Sequence, residues 1–156
     1  MKLLRTENDR FVFELGRREK TLFQDVLRHY PLSPVSHHKL THGTLHTNAA
    51  NQELLEEAMA SLRQQQQGRV GELLRAEGRF AAQGSGWRIT FSREEMEWLL
   101  QVLNDVRVGS WLILGCPDPD EGTVPDLNES NAKYLFLMEL SGQFEGELLE
   151  ALDGPG

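Results

Sequence analysis

All five histidines of this chain lie between positions 29 and 46. His38, His42 and His46 are spaced four residues apart, which on a helix would align three imidazoles, and imidazole is a common ligand for zinc or nickel. The threonines and the glycine between them are poor helix formers, so the sequence favours a solvated loop without a metal ion or cofactor. A metal-dependent enzyme that uses the segment from His29 to His46 stays open as an alternative.

A second group that could carry chemistry lies on a predicted helix from Ser92 to about Leu114. At about 100° per residue, Arg107 falls on the apolar face of this helix. An arginine is almost never fully buried without a carboxylate or carbonyl partner. Glu139 interrupts the apolar run of the last predicted helix in a matching way. The sequence therefore predicts a pair between Arg107 and Glu139, with Asp105 or Asp25 as alternative acids.

We expect Asn104 to help satisfy the same cluster. The candidate binding residues are therefore Asn104, Asp105, Arg107 and Glu139. The favoured interpretation is a buried salt bridge that fixes the register of two helices, because structural ion pairs resemble catalytic ones in sequence. The alternative is a pocket at Arg107 that binds a small anion.

The residues of this helix also carry a resemblance. The sequence Leu-Asn-Asp-Val-Arg-Val-Gly at 103–109 resembles the central-helix signature Leu-Asn-Asp-x-Arg-x-Gly of an uncharacterised bacterial domain-of-unknown-function family of small cytoplasmic proteins. The likeness extends loosely to a strand leading into a helix near the start, to the Phe-Ser-Arg-Glu-Glu sequence at 91–95 and to an apolar final helix. It implies a fold and a bacterial cytoplasmic setting, and it implies no activity, cofactor or catalytic residue.

Other motifs that would indicate an enzyme are absent from the sequence. There is no Gly-x-Ser-x-Gly elbow, phosphate-binding Gly-x-x-x-x-Gly-Lys loop, His-Glu-x-x-His pair or Cys-x-x-Cys pair. The acidic segment from Asp118 to Glu129 does not match a calcium loop, because Gly122 occupies the fifth position, where an EF-hand needs a ligand. We expect a solvated acidic connector there, and an enzyme is the less favoured class.

Charge and cysteine content narrow the possible partners and compartment. The net charge is −8 and the isoelectric point is about 5.1, so the chain repels phosphate backbones and anionic membranes, and no nucleic-acid partner is expected. The single cysteine, Cys116, cannot form an internal disulfide, and the apolar start is too short for a signal peptide. No window approaches the roughly 20 apolar residues of a membrane span. The sequence predicts a soluble cytoplasmic protein.

Two stretches, 13–27 and 89–103, look like copies of one strand-then-helix unit. Four residues of the first stretch recur at matching positions of the second, namely Arg17, Glu19, Val26 and Leu27 as Arg93, Glu95, Val102 and Leu103. Ser92 and Glu95 have the spacing of a capping box, which marks a helix start. We predict a mainly helical α+β fold in one domain, 1–156, with two small β-hairpins that each lead into a helix.

The remaining predicted elements are a long middle helix and a last helix that packs against the Ser92 helix. The middle helix, from Asn51 to Ala76, contains four consecutive glutamines and a kink near Gly68. The last helix, from Glu129 to Leu152, carries Gly142 and Gly146 one turn apart, which predicts a close helix crossing within the chain or a dimer contact.

Both Trp98 and Trp111 are expected in the core. Because no catalytic motif stands out, the function predicted from sequence is a non-catalytic protein-binding or regulatory domain. Its partner would be another protein or a second copy of the chain, and it would bind through exposed faces of the glutamine-rich helix or of the last helix.

Overall fold

The computed structural model describes residues 1–33, 49–76 and 78–154. Over these ranges the chain forms four strands, four α-helices and a short 3-10 helix at Pro119–Glu121. In chain order the strands and α-helices are β1 (Lys2–Glu7), β2 (Arg10–Leu15), α1 (Arg17–Arg28), α2 (Ala49–Arg75), β3 (Ala81–Gln83), β4 (Gly86–Ser92), α3 (Arg93–Ile113) and α4 (Ala132–Asp153). The predicted mainly helical α+β class is confirmed.

The two hairpins join into one four-stranded antiparallel sheet in the order β1-β2-β4-β3. In the central pair, Phe11 lies opposite Phe91 and Phe13 lies opposite Ile89, and all four side chains are buried. These residues alternate along each strand, so one face of the sheet is apolar and packs against the helices. The strands β1 and β3 form the two edges, and β3 has only three residues.

The two central strands run directly into helices, which is the structural form of the repeat seen in sequence. At the start of α3, Ser92 Oγ accepts a hydrogen bond from the Glu95 amide at 3.1 Å, and the Ser92 amide donates to Glu95 Oε2 at 2.8 Å. At the start of α1, the Gly16 amide donates to Glu19 Oε2 at 3.2 Å. In both helices a glutamate of the first turn thus accepts a hydrogen bond from the amide of the N-cap residue, an amide that the helix itself leaves without a partner.

Burial and hydrogen bonding act in opposite directions on the capping carboxylate of α3. Burial raises the pKa of Glu95, whereas the hydrogen bonds from Arg79 and from the Ser92 amide lower it, and the balance lies below the usual value. Arg79 Nη2 lies 2.5 Å from Glu95 Oε2 and also donates to the Thr90 carbonyl at 2.9 Å. The charged form of this carboxylate therefore stabilises the junction between β4 and α3.

The core lies between the sheet and the four α-helices. Phe23 of α1 packs edge-on against Phe144 of α4, with ring centroids 5.2 Å apart, and lies 6.2 Å from Phe91 of β4. Such tilted aromatic pairs contribute about 0.5–1.5 kcal/mol beyond the area that they bury. The most extensive helix contact is that between α3 and α4, so the predicted packing of the two C-terminal helices is confirmed.

Two predictions about single residues need correction. Trp98 is buried as expected, but Trp111 is 37% exposed and its Nε1 donates to the Pro117 carbonyl at 3.1 Å. No close helix crossing occurs at the α4 glycines among the described residues. A Cβ at Gly146 would meet none of their atoms within 4 Å, and one at Gly142 would meet only an Arg107 side-chain carbon, at 3.5 Å. The alternative, a dimer contact at these glycines, stays a prediction.

A helix that spans a membrane must be both long enough and apolar enough to cross it. Among the described residues, no helix meets both conditions.

Candidate functional site

Residues 103–109 of α3, called the α3 motif below, anchor the segment of chain that follows α1. The carboxylate of Asp105 on α3 accepts hydrogen bonds from the Leu32 amide at 2.6 Å and from the Ser33 amide at 3.1 Å. The other carboxylate oxygen of Asp105 lies 2.8 Å from Arg63 Nη2, on α2, and the same Nη2 also donates to the Ser33 carbonyl. One carboxylate therefore joins α2, α3 and the end of the α1 segment.

Gly109, one helical turn after Asp105, provides the room for this contact. A Cβ at position 109 would lie 2.7 Å from the Leu32 carbonyl carbon and 2.7 Å from the Ser33 amide nitrogen. Real Cβ atoms do not approach backbone atoms this closely, so any larger residue would push the segment away from α3. Within the α3 motif, Asp105 and Gly109 therefore form a docking site for the backbone of Leu32 and Ser33.

Arg107 faces the other way and binds α4, but through a different acid from the one predicted. Its Nε donates to Glu145 Oε1 at 3.1 Å and its Nη2 to Asn104 Oδ1 at 2.7 Å. The predicted role of Asn104 is thus found, whereas the predicted partner Glu139 is exposed and the arginine itself is 44% exposed rather than buried. Neither alternative acid is used, because Asp105 binds Arg63 and Asp25 binds Arg28.

Helix geometry explains why Glu145 replaces Glu139. The buried side of α4 is marked by Leu137, Phe144 and Leu148. At about 100° per residue, Glu145 lies roughly 80° from the centre of that stripe, and Glu139 lies roughly 160° away on the opposite side. Glu145 can therefore reach α3 from the flank of the interface, and Glu139 cannot. Burial raises the pKa of Glu145, and the Arg107 guanidinium opposes that rise.

A chain of hydrogen bonds beside the Asp105 anchor leads from Tyr30 to the exposed Gln101. Tyr30 Oη donates to Gln66 Oε1 at 2.7 Å, and Gln66 Nε2 donates to Gln101 Oε1 at 2.7 Å. Burial, and then the nearby Asp105 charge, raise the pKa of Tyr30 to about 12, although Arg63 acts in the opposite direction. Tyr30 is therefore a neutral hydrogen-bond donor at physiological pH.

A cleft of about 370 Å³ lies beside these polar groups. The side chains that could act on a ligand there are already bound to one another, since Asp105 holds Arg63 and Tyr30 holds Gln66. Buried polar groups that satisfy one another stabilise a unique packing. The predicted binding residues Asn104, Asp105 and Arg107 thus hold the helices together in two separate contacts, and Glu139 belongs to neither.

The predicted metal candidates His38, His42 and His46 lie outside the described residues. His29 is described, and its Nδ1 lies 2.7 Å from the Asp25 carbonyl oxygen. Within residues 1–33, 49–76 and 78–154, no three His, Cys, Asp or Glu side chains are grouped as metal ligands. The metal hypothesis therefore stays a prediction about the histidine segment.

A groove of about 780 Å³ runs along the edge strand β1. Six consecutive residues, 1–6, line one side of it. The other side is formed by α4 residues at helical spacing, namely Glu147, Glu150, Ala151 and Gly154. Because alternate residues of a strand point to opposite faces, a groove lined by six in succession must follow the backbone edge of β1 rather than one of its faces. The groove thus lies between one face of a helix and a strand edge that pairs with no other strand among the described residues, called the open edge below.

The hydrogen-bond pattern of the first hairpin shows which amides face this groove. Asn8 and Asp9 both have positive φ, the conformation of a two-residue type I′ turn, in which the flanking residues form a hydrogen-bonded pair. Hydrogen-bonded and non-bonded pairs alternate along antiparallel strands. Following the observed register, Thr6 opposite Phe11 and Leu3 opposite Phe13 are the non-bonded pairs. The backbone groups of Leu3 and Thr6 therefore point towards the groove.

Two further features shape the groove. A bulge interrupts the register of β1 between Leu3 and Arg5, and Leu4 at this point is 38% exposed. Next to the strand, the α-amino group of Met1 lies 2.9 Å from Glu147 Oε2 and 3.2 Å from Glu19 Oε2. These ion pairs tie the beginning of the groove to α4 and α1.

Comparison of the chain with protein-family models, curated proteins and solved structures finds no significant match. The resemblance of residues 103–109 to a bacterial family signature therefore stays a prediction. Sequence reasoning missed the groove, because the hairpin pattern of residues 2–15 does not reveal which of its strands forms the sheet edge. The signal available in the sequence was an apolar Leu4 close to the cations Lys2 and Arg5.

Proposed function

We propose that this protein is a non-catalytic protein-binding domain that takes up an extended peptide segment of its partner as an additional strand along β1. The observation that carries the proposal is the groove between the open edge of β1 and one face of α4. Strand addition of this kind derives affinity from main-chain hydrogen bonds and specificity from the side chains that the groove accepts.

The dimensions of the groove support a peptide as its occupant. A six-residue strand is about 20 Å long, which matches a peptide of similar length in an extended conformation. The volume of 780 Å³ falls in the range of about 300–1,000 Å³ that is usual for ligand sites. The backbone groups of Leu3 and Thr6 offer up to four hydrogen bonds to the main chain of such a peptide.

The proposal retains part of what the sequence predicts. An exposed face of the last helix was one of two predicted binding surfaces, and α4 supplies the helical wall of the groove through Glu150 and Ala151. The other, on the glutamine-rich helix α2, has less support, because Gln66 is buried and bonded to Tyr30 and Gln101. A small-anion site at Arg107 also has less support, because a carboxylate and an amide already bind its guanidinium.

The first experiment is a selection from a displayed library of random 12-residue peptides on untagged protein, since both ends of the described chain lie near the groove. Selected peptides should bind the wild-type protein and lose at least tenfold in affinity for Leu4→Asn, which replaces an apolar groove residue. The matched control is Leu54→Asn, on an exposed part of α2 away from the groove. This control should leave the affinity unchanged.

A second measurement locates the bound peptide. Backbone amides that gain a hydrogen bond exchange more slowly with solvent. Binding should slow hydrogen exchange at Leu3 and Thr6, whose amides face the groove, and should leave Arg5 and Glu7, already paired with β2, unaffected. Peptides that bind without protecting Leu3 and Thr6, or a selection that yields no peptide, would overturn the proposal.

A further inference from the structure

The side chains of β1 present different chemistry on the two faces of the strand. In the strand register, Lys2 lies opposite Glu14 and Arg5 lies opposite Val12, and these side chains are on the sheet face that points away from the helices. Leu3 lies opposite the core residue Phe13. Residues three apart in a regular strand would point to opposite faces. The bulge between Leu3 and Arg5 adds the extra residue that brings Lys2 and Arg5 to the same face.

Both cations are available to a ligand on the groove edge. Lys2 is exposed and has no ion pair within the part of the chain that the structure describes. Arg5 is also exposed, and the nearest carboxylate, that of Glu7, is 3.9 Å away. Charged side chains and a bulge on an edge strand oppose pairing with arbitrary strands. A peptide that is accepted at this edge must therefore compensate these two charges.

The helical wall imposes the opposite requirement on the other face of the peptide. Glu147 and Glu150 line the groove from α4, and the small residues Ala151, in the last turn of the helix, and Gly154, directly after its end, line the same side. The Glu147 carboxylate is paired with the Met1 α-amino group, whereas Glu150 is exposed. Acidic side chains that point towards α4 would therefore be repelled by the Glu150 carboxylate, and apolar side chains would fit the space above the small residues. The two faces of the groove therefore select different side chains.

We infer that the partner segment is an extended peptide of alternating character, with acidic residues on the solvent side opposite Lys2 and Arg5 and apolar residues on the side of α4. This inference rests on the proposed function, because it assigns the chemistry of the peptide that the groove takes up. Charge complementarity across neighbouring strands is the physical basis, since opposite charges on adjacent strands attract and like charges repel. The protein as a whole is acidic, so this preference is local to the edge.

Two fluorescein-labelled ten-residue peptides test the inference by fluorescence anisotropy. One alternates glutamate with valine and the other alternates lysine with valine. The wild-type protein should bind the glutamate peptide at least tenfold more tightly. The double variant Lys2→Glu and Arg5→Glu should reverse this order. The matched control is Arg18→Glu with Arg75→Glu, which changes the net charge equally at exposed positions outside the groove, and it should keep the wild-type order.

The outcomes separate this inference from the proposed function. Equal binding of both peptides, with slowed exchange at Leu3 and Thr6, would overturn the inference and leave strand addition intact. A preference that the control double variant also loses would overturn it as well, because net charge alone would then explain it. Failure of both peptides together with an empty library selection would overturn strand addition itself. A dimer whose Leu3 and Thr6 amides are protected without peptide would assign the edge to a second copy and overturn both.

Discussion

Substituting Gly109 by alanine tests whether the segment after α1 is docked on α3. The added Cβ would lie 2.7 Å from two backbone atoms, the Leu32 carbonyl carbon and the Ser33 nitrogen. Backbone cannot rotate away as a flexible side chain can, so the segment must move outwards. That movement lengthens the hydrogen bond between the Leu32 amide and the Asp105 carboxylate, now 2.6 Å.

The magnitude follows from three contributions. Overpacking costs about 1–3 kcal/mol. Loss of a hydrogen bond to a charged group costs about 1.5–3 kcal/mol. The higher helix propensity of alanine returns about 1 kcal/mol. We therefore expect Gly109→Ala to lower the free energy of unfolding by about 1.5–5 kcal/mol.

Gly146→Ala is the matched control, because it makes the same substitution inside a helix at a position where a Cβ meets no atom of the described ranges within 4 Å. Only the propensity contribution remains there, so this variant should be more stable than wild type by about 0.5–1 kcal/mol. Urea unfolding followed by circular dichroism and tryptophan fluorescence measures both variants. The midpoint should shift in opposite directions while the dependence of the free energy on urea stays constant.

The reasoning would be refuted if Gly109→Ala were as stable as wild type or stabilised by the same amount as Gly146→Ala. Either result would mean that the Leu32–Ser33 backbone does not lie against α3. Amide exchange provides a second check, because Leu32 should exchange faster in Gly109→Ala and at the wild-type rate in Gly146→Ala.

Three further predictions concern ionisable groups. Because the pKa of Glu95 is lowered in the folded state, the contribution of Glu95 to stability is present above about pH 4.5 and is lost as the pH falls through the folded pKa. Glu95→Gln should lower the free energy of unfolding at pH 7 by about 1–2 kcal/mol. Glu94→Gln, which removes an exposed ion pair, should change it by no more than about 0.5 kcal/mol. Because burial raises the pKa of Tyr30 to about 12, the contribution of Tyr30 to stability should be constant below about pH 10 and should fall by about 2–3 kcal/mol between pH 10 and 12. Denaturant titrations of Tyr30→Phe should lack this fall. Because the guanidinium of Arg107 counteracts the effect of burial, Arg107→Met should raise the pKa of Glu145 further; a carboxyl NMR titration that shows no rise would contradict the pairing.

Local sequence signals predicted most of the fold because they correspond to local physical causes. The Ser92 and Glu95 capping box begins α3 at the predicted residue, and the repeated strand-then-helix pattern corresponds to β2 with α1 and β4 with α3. Each of these signals depends on contacts within a few residues, which a single sequence contains.

The candidate site was harder to predict because it depends on how distant elements meet. The apolar face of α3 identified Arg107 as a residue that needs a partner, but the choice of Glu145 over Glu139 depends on the rotation of α4 about its axis. The roles of Asp105 and Gly109 depend on two backbone amides, at Leu32 and Ser33, that carry no side-chain signal. The groove depends on strand order, which hairpin patterns alone do not determine.

The position of β1 in the sheet has a consequence for the energetics of its groove. This strand pairs on one side only and most of its residues are exposed, whereas β2 and β4 each continue into a packed helix. β1 should therefore detach from the sheet at a lower free energy than the central strands, and any ligand of its edge must also hold it in place. A substitution in the turn that stabilises the first hairpin should then increase the affinity for the peptide, although the turn lies outside the groove. Asp9→Gly, which gives the turn its preferred Asn-Gly sequence without altering the groove, should tighten peptide binding mainly by slowing dissociation.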